Sequence, residues 1–459
     1  MKKYDAIVIG FGKGGKTLAG EMADHGLKVA MVEKSEQMYG GTCINIGCIP
    51  TKALIEQAQQ GKQKGLGSWE EQMRAYRQAM EKKNQLTGAL RQANFKMLDD
   101  REMVTVYNGE ASFLSPNTLQ VRLTDGETLE LSAEKIFINT GSQAVRPDIA
   151  GAEDSPFVYN STSLLELERL PEHLVIVGGG YIGLEYASMY RTFGSQVTVL
   201  VKYERFLPKE DPAIAEEVQH ILEKQGITLI FNAQTERLSS GDKQAELTYV
   251  DKASGERRTL KADAVLLAAG RRPNHQGLNL EAAGVQVDEG KAIIVDEHLK
   301  TTAPNIWALG DVKGGPQFTY VSLDDYRIVR SALFGGKEYT LKERRNVPYS
   351  VFITPPLSHV GLTEEQAVRA GHTVKTAMMR PTNPKAKILG QTDGLLKAVV
   401  DSESGEILGC TLLCVRSEEL INQIKLAMDA HLDYTFIRDQ VFTHPTMSEV
   451  LNDLFALIK

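Results

Sequence analysis

The chain has 459 residues, a formal net charge of −7 at pH 7, 42% hydrophobic residues, 40 glycines and four cysteines. Its length suits roughly three domains, because single cores stop growing at about 250–300 residues. The acidic balance argues against nucleic-acid or anionic-membrane partners. No apolar run reaches the ~20 residues needed to span a bilayer, and so few cysteines do not make a disulfide scaffold.

The opening residues, with the apolar run to Gly10, read as a first β-strand. The stretch is too short for a signal peptide, carries Asp5 and runs straight into a glycine loop, so a cytoplasmic protein is expected. The loop holds Gly10, Gly12 and Gly15, followed by an amphipathic helix to about His25 and a strand from Lys28 to Glu33. Such glycines allow a tight turn and close approach to a pyrophosphate at a helix N-terminus, and Glu33 is placed to accept ribose hydroxyls. A lone glycine motif is weak; strand, loop, helix, strand and acid in order is a dinucleotide site.

Next comes Gly40-Gly41-Thr42-Cys43-Ile-Asn-Ile-Gly-Cys48-Ile-Pro-Thr-Lys52. Two thiols so close, beside a nucleotide site in a reducing compartment, suit a redox-active disulfide; two ordinary buried thiols are the plain alternative. Ser68 to about Asp99 is polar and poor in breakers, and predicts a long helix over the first domain with a solvated face. Ile138 to Ser142, with Thr140 and Gly141, and Ala269 to Asn274, with Gly270, read as the two crossings between nucleotide domains.

The nucleotide pattern recurs from His173, with Gly178, Gly180, Tyr181 and Gly183 ahead of a helix and the strand Gln196–Val201. The position matching Glu33 is Val201, followed by Lys202, with Arg205 nearby. Loss of the acid and gain of cations favour NADPH, with NADH still open; a merely solvated Lys202 is the alternative. Two dinucleotide sites imply a flavin and a nicotinamide meeting end to end, with FAD in the first site because the cysteine pair follows it. Asp211-Pro212 predicts a capped helix start, and Thr302–Asp311 a strand ending in Gly310-Asp311, whose carboxylate can serve ribityl hydroxyls. Lys342–Pro348 reads as a linker. Cys410 and Cys414 fall on one predicted strand, same face, about 13 Å apart at ~3.3 Å per residue. That is too far for a disulfide; a copper site and ordinary core packing are the two readings, and packing is favoured.

With Gly-Gly-Thr-Cys43-x4-Cys48-x-Pro-Thr-Lys52, Gly180-Tyr181-Ile-Gly-Leu-Glu185, Gly310-Asp311 and His444-Pro-Thr-Met-Ser-Glu449, the chain resembles the pyridine nucleotide–disulfide oxidoreductases over its full length. The resemblance implies an α/β fold: two Rossmann-like domains for FAD and NAD(P), and a C-terminal α+β dimerisation domain. Residues 1–150 and 271–346 would form the FAD and central part, 151–270 the NAD(P) domain and 347–459 the interface of a homodimer. It implies that Cys48 faces the flavin as the charge-transfer thiolate and that Cys43 is the interchange thiol. Lys52 would lie near the flavin paired with Glu185, and Tyr181 would cover the nicotinamide pocket. His444, oriented by Glu449, would act as acid–base in the partner subunit's active site, a role suited to a histidine tuned near neutrality. FAD would be held by Gly10, Gly12, Gly15, Glu33, Gly41, Thr42, Lys52, Thr140, Gly141, Gly310 and Asp311. The nicotinamide nucleotide would be held by Gly178, Gly180, Tyr181, Gly183, Val201, Lys202, Arg205 and Gly270. A structural Lys52–Glu185 ion pair and a His444 that is only a loop residue are the plain alternatives.

The substrate is less legible. Val201 departs from lipoamide dehydrogenases, the C-terminus lacks the cysteines of mercuric and large thioredoxin reductases, and no match to glutathione-gripping arginines is visible. The segments Ile9–Ala19, Met38–Cys48 and Gln317–Arg327 are similar to a bacterial branch of reactive-chlorine-resistance flavoprotein reductases. That branch implies a small electrophilic oxidant such as hypothiocyanous acid, in oxidative-stress defence. A disulfide reductase of glutathione or lipoamide type, a Cu(II) reductase, and a non-enzymatic redox sensor are the competing readings; the sensor is disfavoured because all six catalytic candidates are present.

Overall fold

The computed structural model describes residues 1–65 and 67–459. Its first sheet is built on Lys2–Ile9, whose Ala6, Ile7 and Val8 are fully buried, as a central parallel strand covered on both faces requires. That strand pairs in parallel with Val29–Glu33 on one side and Thr128–Ile138 on the other. Ile306–Ala308 joins the far edge of Thr128–Ile138, also in parallel. Val104–Ser115 pairs with Val29–Glu33, then turns into an antiparallel meander through Thr118–Leu123 back to Thr128–Ile138. The strand expected over Thr302–Asp311 covers only Ile306–Ala308, because Gly310 takes φ +72° and opens a 3₁₀ turn from Gly310 to Lys313.

The second sheet repeats the plan. His173–Val177 lies between Gln196–Leu200 and Ala264–Leu267, with Ile227–Ile230 and Val158–Tyr159 at the edges, all parallel. An antiparallel meander, Ala233–Ser240, Ala245–Asp251 and Arg257–Ala262, flanks it. Ser142–Ala144 and Arg271–Pro273 pair antiparallel, so the two expected crossings form one ribbon between the units. The helix Pro212–Lys224 starts where its sequence says, with Asp211 accepting from the Ala213 N–H.

The third unit is a five-stranded antiparallel sheet, in the order Tyr349–Val351, Leu357–Gly361, Ile407–Leu413, Leu395–Asp401, Val374–Met379. Cys410 sits in this sheet, but Cys414 falls just beyond the end of its strand rather than in it. Both thiols are buried in the core of this unit, and burial pushes both thiols up in pKa, which suits inert packing rather than metal ligation. Among the described residues no group of three or more His, Cys, Asp or Glu is clustered to hold a metal. Nor is any helix among them long and apolar enough to cross a membrane.

Two further elements differ from expectation. The helix Trp69–Asp99 forms as read, with a Ser68–Glu71 capping box, yet it does not belong to the first unit alone. Its Tyr76, Ala79 and Met80 are buried with Tyr190 and Phe193 of the second unit, whereas Leu98 packs in the first unit's core with Tyr39. The segment Lys342–Pro348 is not a free tether either. Arg344 pairs with Asp324 at 2.6 Å and with the fully buried Asp325, pinning the linker to the helix Thr319–Phe334.

Candidate active site

A cleft of about 1860 Å³ runs from the first glycine turn past both cysteines to the second unit. At its start Gly10 has φ +99°, and a Cβ there would lie 2.4 Å from the Asn139 carbonyl oxygen, so only glycine fits. Gly41 is similar: φ +75°, with a Cβ position 2.8 Å from the Cα of Gly12. The two backbone turns therefore touch, and the helix Lys13–Asp24 opens from Gly12, which has no side chain to cap it; the Gly14 and Gly15 N–H groups donate to the Ser322 hydroxyl and to Asn139 Oδ1. The positive end of such a helix suits a pyrophosphate. Glu33 holds the turn from below, accepting from the Phe11 N–H at 2.9 Å, and burial pushes its carboxyl pKa up. Thr140 carries a buried hydroxyl with no partner among the described residues, and Asp311 is fixed by the Ser142 hydroxyl at 2.7 Å. An unpaired hydroxyl, two touching glycine turns and a fixed carboxylate along one cleft fit a dinucleotide such as FAD.

The cysteines sit on its floor. Cys48 is the first residue of the helix Cys48–Gln63, entered from Gly47, so its sulfur lies at a positive helix end. A hydrogen bond from Cys43, ahead of the nearby Lys52 charge, pulls the Cys48 thiol down to about 6. The same bond, with burial, pushes Cys43 up. Neither sulfur is in a disulfide here, and the opposed shifts favour the thiolate form at Cys48 and the thiol form at Cys43. The Thr319 hydroxyl lies 3.8 Å from the Cys48 sulfur.

Lys52 follows Cys48 by one helical turn and so shares its face. Its Nζ donates to Glu185 Oε2 at 2.6 Å and stands 4.4 Å from the centre of the Phe352 ring. Glu185 is placed by the same rule one turn after Tyr181 on the helix Tyr181–Phe193, and its Oε1 accepts from the Phe352 N–H at 2.9 Å. Three segments far apart in sequence thus meet at one ion pair.

His444 Nδ1 bonds Glu449 Oε1 at 2.9 Å, while Glu449 Oε2 accepts from the Thr446 N–H at 2.8 Å. The Thr446 N–H first, then His444, hold the Glu449 carboxyl below its usual range. The imidazole is 66% exposed, so its second nitrogen is presented outward from the C-terminal unit.

The structure therefore gathers Gly10, Gly12, Glu33, Gly41, Thr42, Cys43, Cys48, Lys52, Thr140, Gly141, Tyr181, Glu185 and Asp311 along one cleft. Gly15 and Gly310 support it from behind: the Gly15 N–H donates to Asn139, and the Gly310 N–H donates to Asp325. Gly178, Gly180, Gly183, Val201, Lys202, Arg205 and Gly270 lie outside that lining, around the second glycine turn, and His444 and Glu449 lie outside it too. Val201 is buried under that turn, 2.8 Å from where a Gly179 Cβ would sit, and supplies no acceptor; Lys202 and Arg205 are exposed beside it. Sequence reasoning missed several residues. Asn139 adjoins the quoted Thr140, and its amide ties the Gly15 N–H to the Leu309 carbonyl. Arg271, inside a quoted crossing, lines the cleft and donates to the Ser142 hydroxyl at 2.8 Å. Lys16 is buried against Asn94, and desolvation pulls its ammonium down to about 8. Its place in the quoted segment Ile9–Ala19 gave a signal; Phe352 gave none.

Residues 4–325 match the family described as pyridine nucleotide-disulphide oxidoreductase, and residues 347–455 match the dimerisation domain of that name. The chain is 49% identical over 100% of both chains to the probable pyridine nucleotide-disulfide oxidoreductase RclA of Escherichia coli. It is 33% identical to a mercuric reductase of Bacillus cereus, covering 98% of this chain and 70% of that one. A solved structure, described as the Cu(II) complex of the HOCl-induced flavoprotein disulfide reductase RclA from Escherichia coli, superposes with a TM-score of 0.93 at 49% identity, covering 100% of both chains.

Proposed function

Because the chain belongs to the pyridine nucleotide-disulphide oxidoreductase family, an FAD- and NAD(P)H-dependent group, we propose that its cleft houses a Cys43–Cys48 redox cycle that reduces a small oxidant. NADPH is the proposed donor, hypothiocyanous acid the proposed oxidant, and cytoplasmic defence against reactive chlorine species the setting. The observation that carries this reading is the opposed pair of thiols: Cys48 drawn down to about 6 at a helix end and Cys43 pushed up beside it. Gly10, Gly12, Glu33, Gly41, Thr42, Thr140 and Asp311 would hold FAD, with Lys52 beside its reactive ring. FAD, when bound, supplies the two-electron relay between nicotinamide and the cysteine pair.

The chain's own residues then divide the work. Cys43, held as a thiol, needs a base before it can attack, and the partner subunit's His444 would take that proton while Glu449 fixes the ring. The Cys43 sulfur bonds to the sulfur of hypothiocyanous acid and hydroxide leaves, collecting the proton from His444 as water. Cys48 thiolate attacks the Cys43 sulfur, closing the disulfide and releasing thiocyanate. With FAD bound, NADPH would supply the hydride equivalent that returns Cys43 to the thiol and Cys48 to the thiolate, so one hydride and one HOSCN give one SCN⁻ and one water. Lys202 and Arg205 are the proposed seat of a 2′-phosphate.

Reduction of Cu(II) is a second reading, favoured because a 49%-identical relative is described as a Cu(II) complex. Stopped-flow NADPH oxidation by the holoenzyme, with hypothiocyanous acid, glutathione disulfide, lipoamide and Cu(II) in parallel, separates the readings. Fast turnover with hypothiocyanous acid alone, lost in Cys43→Ser, is expected. Fast turnover with a disulfide would overturn the oxidant assignment, and Cu(II) reduction that survives Cys43→Ser would free copper chemistry from the interchange thiol.

A further inference from the structure

Tyr181 begins the helix that also carries Glu185, and its ring lies in the cleft wall. The ring stacks on Tyr349 with centroids 5.5 Å apart and planes 24° from parallel. Both phenols donate to one atom, Oε1 of Glu210: Tyr349 does so at 2.6 Å, and Tyr181 makes a short bond to the same oxygen. The two phenol oxygens are 3.4 Å apart. Glu210 is 2% exposed, and its second oxygen, Oε2, is buried with no partner among the described residues. A buried carboxylate with one oxygen doubly used and the other unused is an uneven arrangement, since an unmet buried acceptor forfeits its hydration without replacement.

We propose that Glu210 is a positioning residue, a two-seat latch for Tyr181 that holds the ring over the nicotinamide end of the cleft through Oε1 and receives the displaced phenol on Oε2 when the nucleotide enters. This rests on the assignment of that end of the cleft to the nicotinamide. Tyr349, still bonded to Oε1, keeps the carboxylate in place while Tyr181 moves. Tyr349 is itself fixed from both sides, stacked 6.5 Å from Phe318 and tilted 5.3 Å from His359, whose burial keeps its imidazole pKa down and so favours the neutral ring. The carboxylate raises both phenols' pKa, after burial, so both remain donors throughout. With an acceptor waiting, the swing exchanges one hydrogen bond for another instead of stranding a phenol.

Glu210→Gln tests this. The amide oxygen turns to the two phenols and keeps the closed seat, while the NH₂ replaces the receiving acceptor with a donor. In single-turnover anaerobic mixing, the rate of flavin reduction by NADPH should fall about fivefold, the scale of one net hydrogen bond. Re-oxidation of dithionite-reduced holoenzyme by O₂, which involves no nucleotide, should be unchanged. In a Tyr181→Phe background the Glu210→Gln change should have no further effect, because no hydroxyl remains to be received. An equal fall in that background, or a matching fall in re-oxidation, would show a merely structural carboxylate and overturn the latch alone. A wild-type flavin reduced by neither NADPH nor NADH would overturn the underlying nicotinamide assignment and the latch with it.

Discussion

Cys43→Ala should raise the pKa of Cys48 far more than any change at the neighbouring cation. The hydrogen bond from Cys43 is the largest influence bringing Cys48 from 9.0 to about 6; burial opposes it and the Lys52 charge comes after. Removing the donor leaves Lys52 and the helix N-terminus in place, so the Cys48 midpoint should settle between about 7 and 8.5. At pH 7 the thiolate population would drop from roughly 90% to half or less, since each pKa unit is tenfold. The readout is the long-wavelength absorbance that a thiolate gives beside an oxidised flavin, titrated from pH 5 to 9. Wild-type enzyme carrying one equivalent of NADPH is the reference. Lys52→Met should raise the midpoint by a smaller amount. A Cys43→Ala midpoint that stays near 6, or a larger shift from Lys52→Met than from Cys43→Ala, would refute the assignment of the sulfur–sulfur bond as the leading influence.

Val201→Glu should let the new carboxylate accept from the second glycine turn as Glu33 does from Phe11, raising the NADH-to-NADPH ratio of kcat/KM about tenfold or more, the scale of hydrogen bonds to a charged group; an unchanged ratio counts against the cofactor argument. Co-expressing Cys43→Ser and His444→Ala subunits should give heterodimers with about half the wild-type turnover, because a two-fold dimer then holds one complete site if His444 acts across the interface. Inactive heterodimers would place His444 in its own subunit's site. Cys410→Ala with Cys414→Ala should lower the melting temperature yet leave Cu(II) reduction intact; selective loss of copper turnover would revive a metal role for that pair.

The sequence was most legible where chemistry dictates a local pattern. Glycine turns, the acid at Glu33, the long helix after Ser68, the capped start at Asp211, and the spacing of Lys52 after Cys48 all depend on neighbours within one or two turns. The structure differs where the deciding partner is remote. The strand at Thr302 shortens because Gly310 turns to meet Asp325. Arg344 converts an apparent linker into a buried ion pair, and Cys414 slips past a strand end fixed by pairing with Leu357–Gly361. Asn139, Phe352 and Glu210 matter through contacts with residues more than a hundred positions away, and no periodicity announces those.

The helix Trp69–Asp99 has a mechanical consequence. One end is rooted among Tyr190 and Phe193, the other beside Tyr39, and the former core also takes in Val351 and Leu413 of the third sheet. A rod packed into both units ties them together, so neither can pull away from the other without exposing one of its buried ends. Heating should therefore melt the three units in one transition, without a stepwise loss of parts.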